Sequence, residues 1–391
     1  MTTSWLLRPT TVTTLVLDRV GAALGLEITA AGIGEYRLRG SPQLVVRDVI
    51  ARQPDAEVPV LRAERILLSL PWTTLRSRGR DLTITHVELD RPVLDLQALS
   101  RWQASRPPTA ETRIPTLTDG LTITEGRVQG QGWAFAAIHA RLPRLAPEQP
   151  VRADLAARFE DAGTRVAFEL ALAMSAPAAG AGIAAIGPLS IIRDAWRIDG
   201  AVHLRRRLAN ADGGVGLTPA TVGYAGSWRG TGDPLSFQLG LHGPFAFRDG
   251  IWRYGWQRLH LRGDPVVPAL DAAGAIALGR QLALRVNGAM PEWPAGWPAL
   301  PAPLHASDTP LAVAVDYVGP ADLSATTTLG LRRDTSTFDG RLRLPQMLDW
   351  ADRAGDPAAS PLPPMQGEVN TPRLEIGGIR MEGVRIRIDE D

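Results

Sequence analysis

The chain contains no cysteine. That excludes disulfides, thiolate nucleophiles, iron–sulfur clusters and cysteine-based zinc sites. It leaves the compartment open, since oxidising and reducing spaces both tolerate the absence. Lysine is missing too: all 42 basic residues are arginine. A Walker A lysine, a pyridoxal-phosphate Schiff base and a kinase lysine go with it. Charge of one sign is also scarce. The 42 basic residues face 41 acidic ones, a net charge of +1, whereas proteins that track nucleic acid carry a clear basic surplus. Nucleic acid is not expected as a partner. Long hydrophobic runs are lacking as well. In residues 1–25, MTTSWLLRPTTVTTLVLDRVGAALG, the apolar stretches are interrupted by Arg8, Asp18 and Arg19. No stretch reaches the ~18–20 apolar residues of a membrane span, and Val12–Leu17 is short for a signal-peptide core.

Turn formers are plentiful: 39 glycines and 32 prolines in 391 residues exceed their usual share of about 12% and point to many short elements. Residues 11–24 suit an amphipathic helix, with Val12, Leu15, Val16, Val20, Ala23 and Leu24 on one side and Asp18 and Arg19 on the other. It reads either as a helix packed on the body of the protein or as an interfacial or anchor remnant. From residue 26 the period changes to two. Val166, Phe168, Leu170, Leu172 and Met174 alternate with Ala167, Glu169, Ala171 and Ala173. Leu235, Phe237, Leu239 and Leu241 do the same, followed by Leu259 and Leu261, by Leu282, Leu284 and Val286, by Leu311–Tyr317, and by Val384, Ile386 and Ile388. Such alternation predicts antiparallel strands with one dry and one wet face. The phase slips between Leu82–Ile84 and Val87–Leu89, which predicts a bulge or tight bend.

Short helices are expected at 71–78, 96–105 and 346–354, and nothing alternates strand with helix as a doubly wound fold would. The chain divides into an N-terminal helix (1–25), a β module (26–104), a linker (105–116), a central β region (117–345), a short helix with a Pro-rich linker (346–366) and closing strands (367–391). LTITHV at 82–87, LTITEGRV at 121–128 and LEIGGIRMEGV at 374–384 echo one another, by chance or as a repeat that extends one sheet.

Catalytic signatures do not assemble. His86, His139, His203, His242, His260 and His305 show no metal-ligand spacing, and no G-x-S-x-G elbow occurs. The Gly213–Gly216 cluster lacks the third glycine of a dinucleotide fingerprint. Neither an enzyme activity nor a cofactor is expected. Arg205–Arg207 reads as the solvated end of a strand, and Asp389–Asp391 as an acidic tail. Trp252, Tyr254 and Trp256 alternate on one strand. Trp293 and Trp297 lie in PEWPAGWPALPAP and read as an anchored turn or a half-wet docking patch.

Two segments resemble the AsmA-like family (AsmA/TamB-type envelope proteins). One runs from Leu15 to Leu99 and includes RAERI at 62–66 and HVELDRPVLDL at 86–96; the other is MQGEVNTPRLEIGGIRMEGVRIRI at 365–388. The motifs carry no catalytic residues. The resemblance implies a periplasm-facing protein held at the inner membrane by an N-terminal span, a span that residues 1–25 do not supply. It implies long twisted β-sheets curled into an apolar groove, and a part in phospholipid transport and outer-membrane homeostasis. The expected fold is therefore mainly β: a long antiparallel sheet curled into a groove, with a short N-terminal helix and one or two others. Two ordinary sandwiches would satisfy the same alternation. The expected lipid-binding residues are Val166, Phe168, Leu170, Leu172, Leu235, Phe237, Leu239, Leu241, Leu259, Leu261, Leu282 and Leu284. Expected partners are a phospholipid or other acyl-chain lipid, a membrane met through the N-terminus, and envelope proteins joined by strand addition.

Overall fold

Period-two patterning becomes strand along most of the chain. In a computed structural model of the protein, 69% of the described residues are in strands against the usual ~20–25%, so the mainly-β expectation holds. The structure describes residues 21, 25–37, 41–76, 83–105, 114–161, 163–178, 180–193, 196–211, 214–230, 232–248, 251–297, 307–320, 322–352, 364–376 and 379–388. Apart from Gly21, the N-terminal helix expected over 11–24 lies outside the described residues, as do most of the 105–116 linker, His305, the Pro-rich stretch 353–363 and the acidic tail. The chain forms two compact units, one of residues 1–161 and 165–187, the other of residues 162–164 and 188–391.

The first unit begins with β1 (Glu27–Arg37), β2 (Gln43–Arg52) and β3 (Leu61–Ser69), then the short helix α1 (Trp72–Arg76). There follow β4 (Thr83–Ile84), β5 (His86–Asp90), β6 (Val93–Asp95), helix α2 (Leu96–Ala104), β7 (Thr116–Leu117), β8 (Leu121–Gln129), β9 (Trp133–Leu142), β10 (Val151–Asp161) and β11 (Thr164–Met174). The next strand, β12 (Gly182–Arg193), runs across the boundary between the units. Strands β1, β2 and β3 form an antiparallel meander, and β3 then pairs antiparallel with both β5 and β6. Here the purely antiparallel expectation fails. Both β5 and β6 pair in parallel with β8, and β4 pairs in parallel with β7. A parallel neighbour requires a crossover long enough to bring the chain back to the same end, and α2 with the segment after it provides that length.

The phase slip after Ile84 is a bend at Thr85, whose N–H donates to the Ser69 carbonyl at 2.8 Å. Ile84 faces Leu117 on one ladder, while Val87 faces Leu68 and Leu121 on the other. The two LTIT echoes are therefore not structural equivalents, because Leu121 lies opposite Val87 rather than at the start of a matching unit. The family-like motifs have a structural meaning. Arg65 of RAERI donates to Glu88 at 2.9 Å and Asp90 at 2.8 Å, both in HVELD on the adjacent strand. Arg91 links Glu64 (2.5 Å) and Glu125 (2.8 Å). Asp95 caps α2 by accepting from the Ala98 N–H at 2.8 Å.

The second unit is antiparallel and follows sequence order: β13 (Trp196–Ala211), β14 (Gly214–Arg229), β15 (Leu235–Arg248), β16 (Ile251–Gly263), β17 (Leu270–Leu278), β18 (Leu282–Met290), β19 (Leu311–Gly319), β20 (Thr326–Arg333), β21 (Ser336–Arg343), then helix α3 (Leu344–Asp352), β22 (Met365–Ile376) and β23 (Ile379–Ile388). From β13 onward each strand pairs with the next. Arg205–Arg207 does not end a strand, contrary to expectation. β13 continues to Ala211 through a register shift between Arg205 and Leu208. Further shifts fall between Leu217 and Ala220 and between His242 and Phe245, where Pro219 and Pro244 sit. A residue without an N–H survives inside a sheet only where the ladder is already broken. The three expected helices form, at 72–76, 96–104 and 344–352.

Candidate functional site: an open apolar sheet face

Cross-strand register lines up the apolar phases of the second unit. Leu204 faces Val222, which faces Leu241, which faces Leu259. The row continues through Ala272 and Gly288 to Val313, Leu331, Phe338, Val369 and Ile386. A parallel row joins Val202, Tyr224, Leu239, Leu261 and Leu270. A third joins Tyr254, Ile276, Leu284, Tyr317, Thr327 and Leu342. In β16 the shift between Trp256 and Leu259 inserts one residue, so Trp252, Tyr254 and Trp256 share a face with Leu259 and Leu261 despite their opposite parity.

All the lipid-binding residues expected in this unit lie on this one face. Leu239 is opposite Leu261 and Leu241 opposite Leu259. Leu235 faces Trp228 and Phe237 faces Gly226. Leu282 faces Leu278 and Leu284 faces Ile276. The face is only partly covered. Leu235, Phe237, Leu239, Leu241, Leu259, Leu261 and Leu284 are all half-buried, and Leu282 alone of the set is buried. Residues between two packed sheets lose nearly all their exposure. Among the described residues of this unit, contacts run between neighbouring strands, with α3 on β21.

Aromatic rings cover the glycines of the face. A Cβ on Gly200 would lie 2.7 Å from Tyr224 Cζ, and one on Gly367 would lie 2.8 Å from Phe338 Cε2. The Tyr224 hydroxyl donates to Leu189 O at 3.1 Å and that of Tyr254 to Ala220 O at 3.4 Å. Burial pushes both phenols up from their ordinary range. Phe247 and Trp252 stack with centroids 4.2 Å apart, and Tyr224 and Phe237 lie 5.8 Å apart. At one end Trp297 donates its indole N–H to Val266 O at 2.9 Å and meets Trp293 edge-on at 5.0 Å, an anchored turn.

The remaining expected residues, Val166, Phe168, Leu170 and Leu172, lie half-buried along one phase of β11 in the first unit. Phe168 joins an aromatic cluster that the alternation of Trp133 with Phe135 could have signalled: Phe135 lies 6.1 Å from Phe168 and 5.3 Å from Phe159, and Trp133 lies 5.5 Å from Phe135.

Among the described residues no group of three or more acidic or histidine side chains could hold a metal, and no helix is long and apolar enough to cross a membrane. Three of the described histidines bond to groups on neighbouring elements. His260 pairs with Asp271 at 2.6 Å beside Arg262 at 2.9 Å, His242 meets Thr221 at 3.2 Å, and His86 meets the Asp119 carbonyl at 2.9 Å. Hydrogen bonds from Arg262 and then His260 hold the Asp271 carboxyl below the usual range. No family model, curated protein or solved structure matches the chain, so the AsmA-like resemblance rests on its own residues.

Proposed function

We propose that the protein is a non-enzymatic lipid-handling component of the cell envelope that holds phospholipid acyl chains against the apolar face of its second unit, with headgroups in water. The observation that carries this reading is the continuous row from Leu204 to Ile386, half-buried along its length and exposed at Ile386, with no element of this unit packed across it among the described residues. Each methylene fully removed from water gains about 0.8 kcal/mol, so about ten must be covered to reach the ~8 kcal/mol of micromolar affinity. The reading includes the periplasm-facing, inner-membrane-associated location and the role in outer-membrane homeostasis that the AsmA-like resemblance implies. Strand addition to partner proteins is the weaker reading. β23, at the end of the pairing series, is charged along its length by Arg380, Glu382, Arg385 and Arg387, a pattern that resists added strands.

The test is Leu239→Asp and, separately, Leu170→Asp, each read by thermal unfolding and by phospholipid co-purifying with the protein. On an open face the carboxylate stays wet, so both variants should remain folded and Leu239→Asp should lose lipid. A wild type that never carries lipid, or a stable Leu239→Asp with unchanged lipid, overturns the proposal. In a closed core the same substitution would bury an unpaired charge and unfold the protein.

A further inference from the structure

The opposite, polar face of β13–β16 is strongly basic. These four strands contain nine arginines, eight on the polar phase and Arg206 on the apolar one, and one acid, Asp199, while β17–β23 contain nine arginines and six acids. The charge is thus local in a chain whose net charge is only +1. Asp199 is already paired with Arg197 at 2.6 Å. Arg205, Arg207, Arg229, Arg248, Arg253 and Arg258 are all exposed on the polar phase. Register places them across the sheet from one another. Arg205 faces Thr221, which faces His242, which faces Arg258. Three strand steps of ~4.8 Å put the ends of that row about 14 Å apart, and Arg253 adds a second point along β16.

We propose that this basic face docks the protein onto a lipid bilayer carrying anionic headgroups. The charges are spread over an area rather than gathered in a pocket, which suits a two-dimensional array of phosphates. Guanidinium groups bind phosphate oxygens in bidentate fashion. The nine aromatic residues of these strands, Tyr224, Trp228, Phe237 and Trp252 among them, belong to the other face. The basic face therefore has no platform for stacking bases and no wedge for insertion into hydrocarbon. Binding is peripheral, electrostatic and sensitive to salt. The inference goes beyond the acyl-chain reading and stands without it, because lipid co-purification reads one face and vesicle docking reads the other.

The experiment is vesicle flotation of the full chain. Vesicles of phosphatidylcholine alone are compared with vesicles that also contain phosphatidylglycerol, at low and at high salt. Binding should require the anionic lipid and vanish at high salt. The triple variant Arg205→Gln, Arg253→Gln, Arg258→Gln should bind weaker by roughly fivefold per charge removed, on the order of a hundredfold in all, with unchanged thermal unfolding. The control triple Arg332→Gln, Arg341→Gln, Arg343→Gln removes as much charge from the balanced part of the sheet and should bind like wild type. Equal binding to both vesicle types, equal losses in the two triples, or displacement from vesicles by a single-stranded oligonucleotide or an acidic protein at lower concentration than by anionic lipid would each overturn the proposal.

Discussion

At the scale of single residues, glycine and aromatic side chains act as pairs on the apolar face. Gly200 lies under Tyr224, and its missing Cβ would overlap the Ala225 carbonyl oxygen. Backbone cannot yield as a side-chain tip can, so Gly200→Ala should cost about 1–3 kcal/mol, measured as a shift in the urea midpoint. Gly240 has open space around its Cβ position, and Gly240→Ala should be neutral or slightly stabilising. If both substitutions cost the same, the ring-over-glycine account is wrong. Tyr317 is 1% exposed, donates to Pro320 O at 2.6 Å and accepts from the Ala325 N–H at 3.4 Å. Tyr317→Phe should lose about 1–2 kcal/mol by stranding both groups. The acid side of the stability profile follows from depressed carboxyls. Arg91 lowers Glu125, Arg262 and His260 lower Asp271, and Asn370 with Arg385 and Arg387 lowers Glu368. A folded-state pKa below the unfolded one gives stability that is complete above the ordinary carboxylate range and lost as pH falls through the folded value. Glu125 is exposed and Asp271 and Glu368 are only half-buried, so solvent screening keeps each share small. The melting temperature should stay level from neutrality to about pH 5 and fall below about pH 4.

At the scale of elements, ends and edges carry the testable detail. The cap on α2 depends on one carboxylate, and Asp95→Ala should cost about 1 kcal/mol, seen in thermal unfolding. On β23, Arg385 and Arg387 stand beside Glu368 of β22 at 3.3 and 3.7 Å. Replacing both with valine gives the last strand an apolar second phase, and size-exclusion chromatography should then show concentration-dependent association; a strictly monomeric variant would count against an edge there. The alternation of Leu235–Leu241 and of Trp252–Trp256 made these strands and their facing legible in the sequence. Other features were not legible, for physical reasons. The bulge in β16 falls at Gln257–Arg258, two polar residues that leave no mark in a hydrophobic pattern. β13 runs on past three consecutive arginines because the extra residue at the register shift falls in β14 and leaves the alternation of β13 intact. The parallel pairings of β4, β5 and β6 involve two to five residues each, too few to show a period. Of the candidate site, the residues were readable from parity, whereas their alignment into rows depends on register that no single strand encodes. The basic face escaped notice because its arginines are scattered between apolar residues and cancel in the whole-chain sum.

At the scale of the whole molecule, most of the chain is strand, and in the second unit much apolar surface stays accessible in the native state. An environment-sensitive apolar dye such as anilinonaphthalene sulfonate should therefore fluoresce on the folded protein at neutral pH, without denaturant, and a long-chain fatty acid should displace it. Fluorescence no higher than that of a well-packed globular control would remove the open face from the account. Chelator should leave the melting temperature unchanged, because the ladder and the rows supply the stability.

The sequential pairing from β13 to β23 also makes the second unit modular. Each strand depends on the one before and the one after, so its stability is close to a sum of nearest-neighbour terms. Inserting or removing one hairpin adds or subtracts two strands, about 9.6 Å across the sheet, and returns the chain in the same direction with the same phase facing the row. The reach of the apolar face can thus change in steps of one hairpin without redesigning what remains, so the number of hairpins serves as a ruler for the length of apolar surface the unit presents.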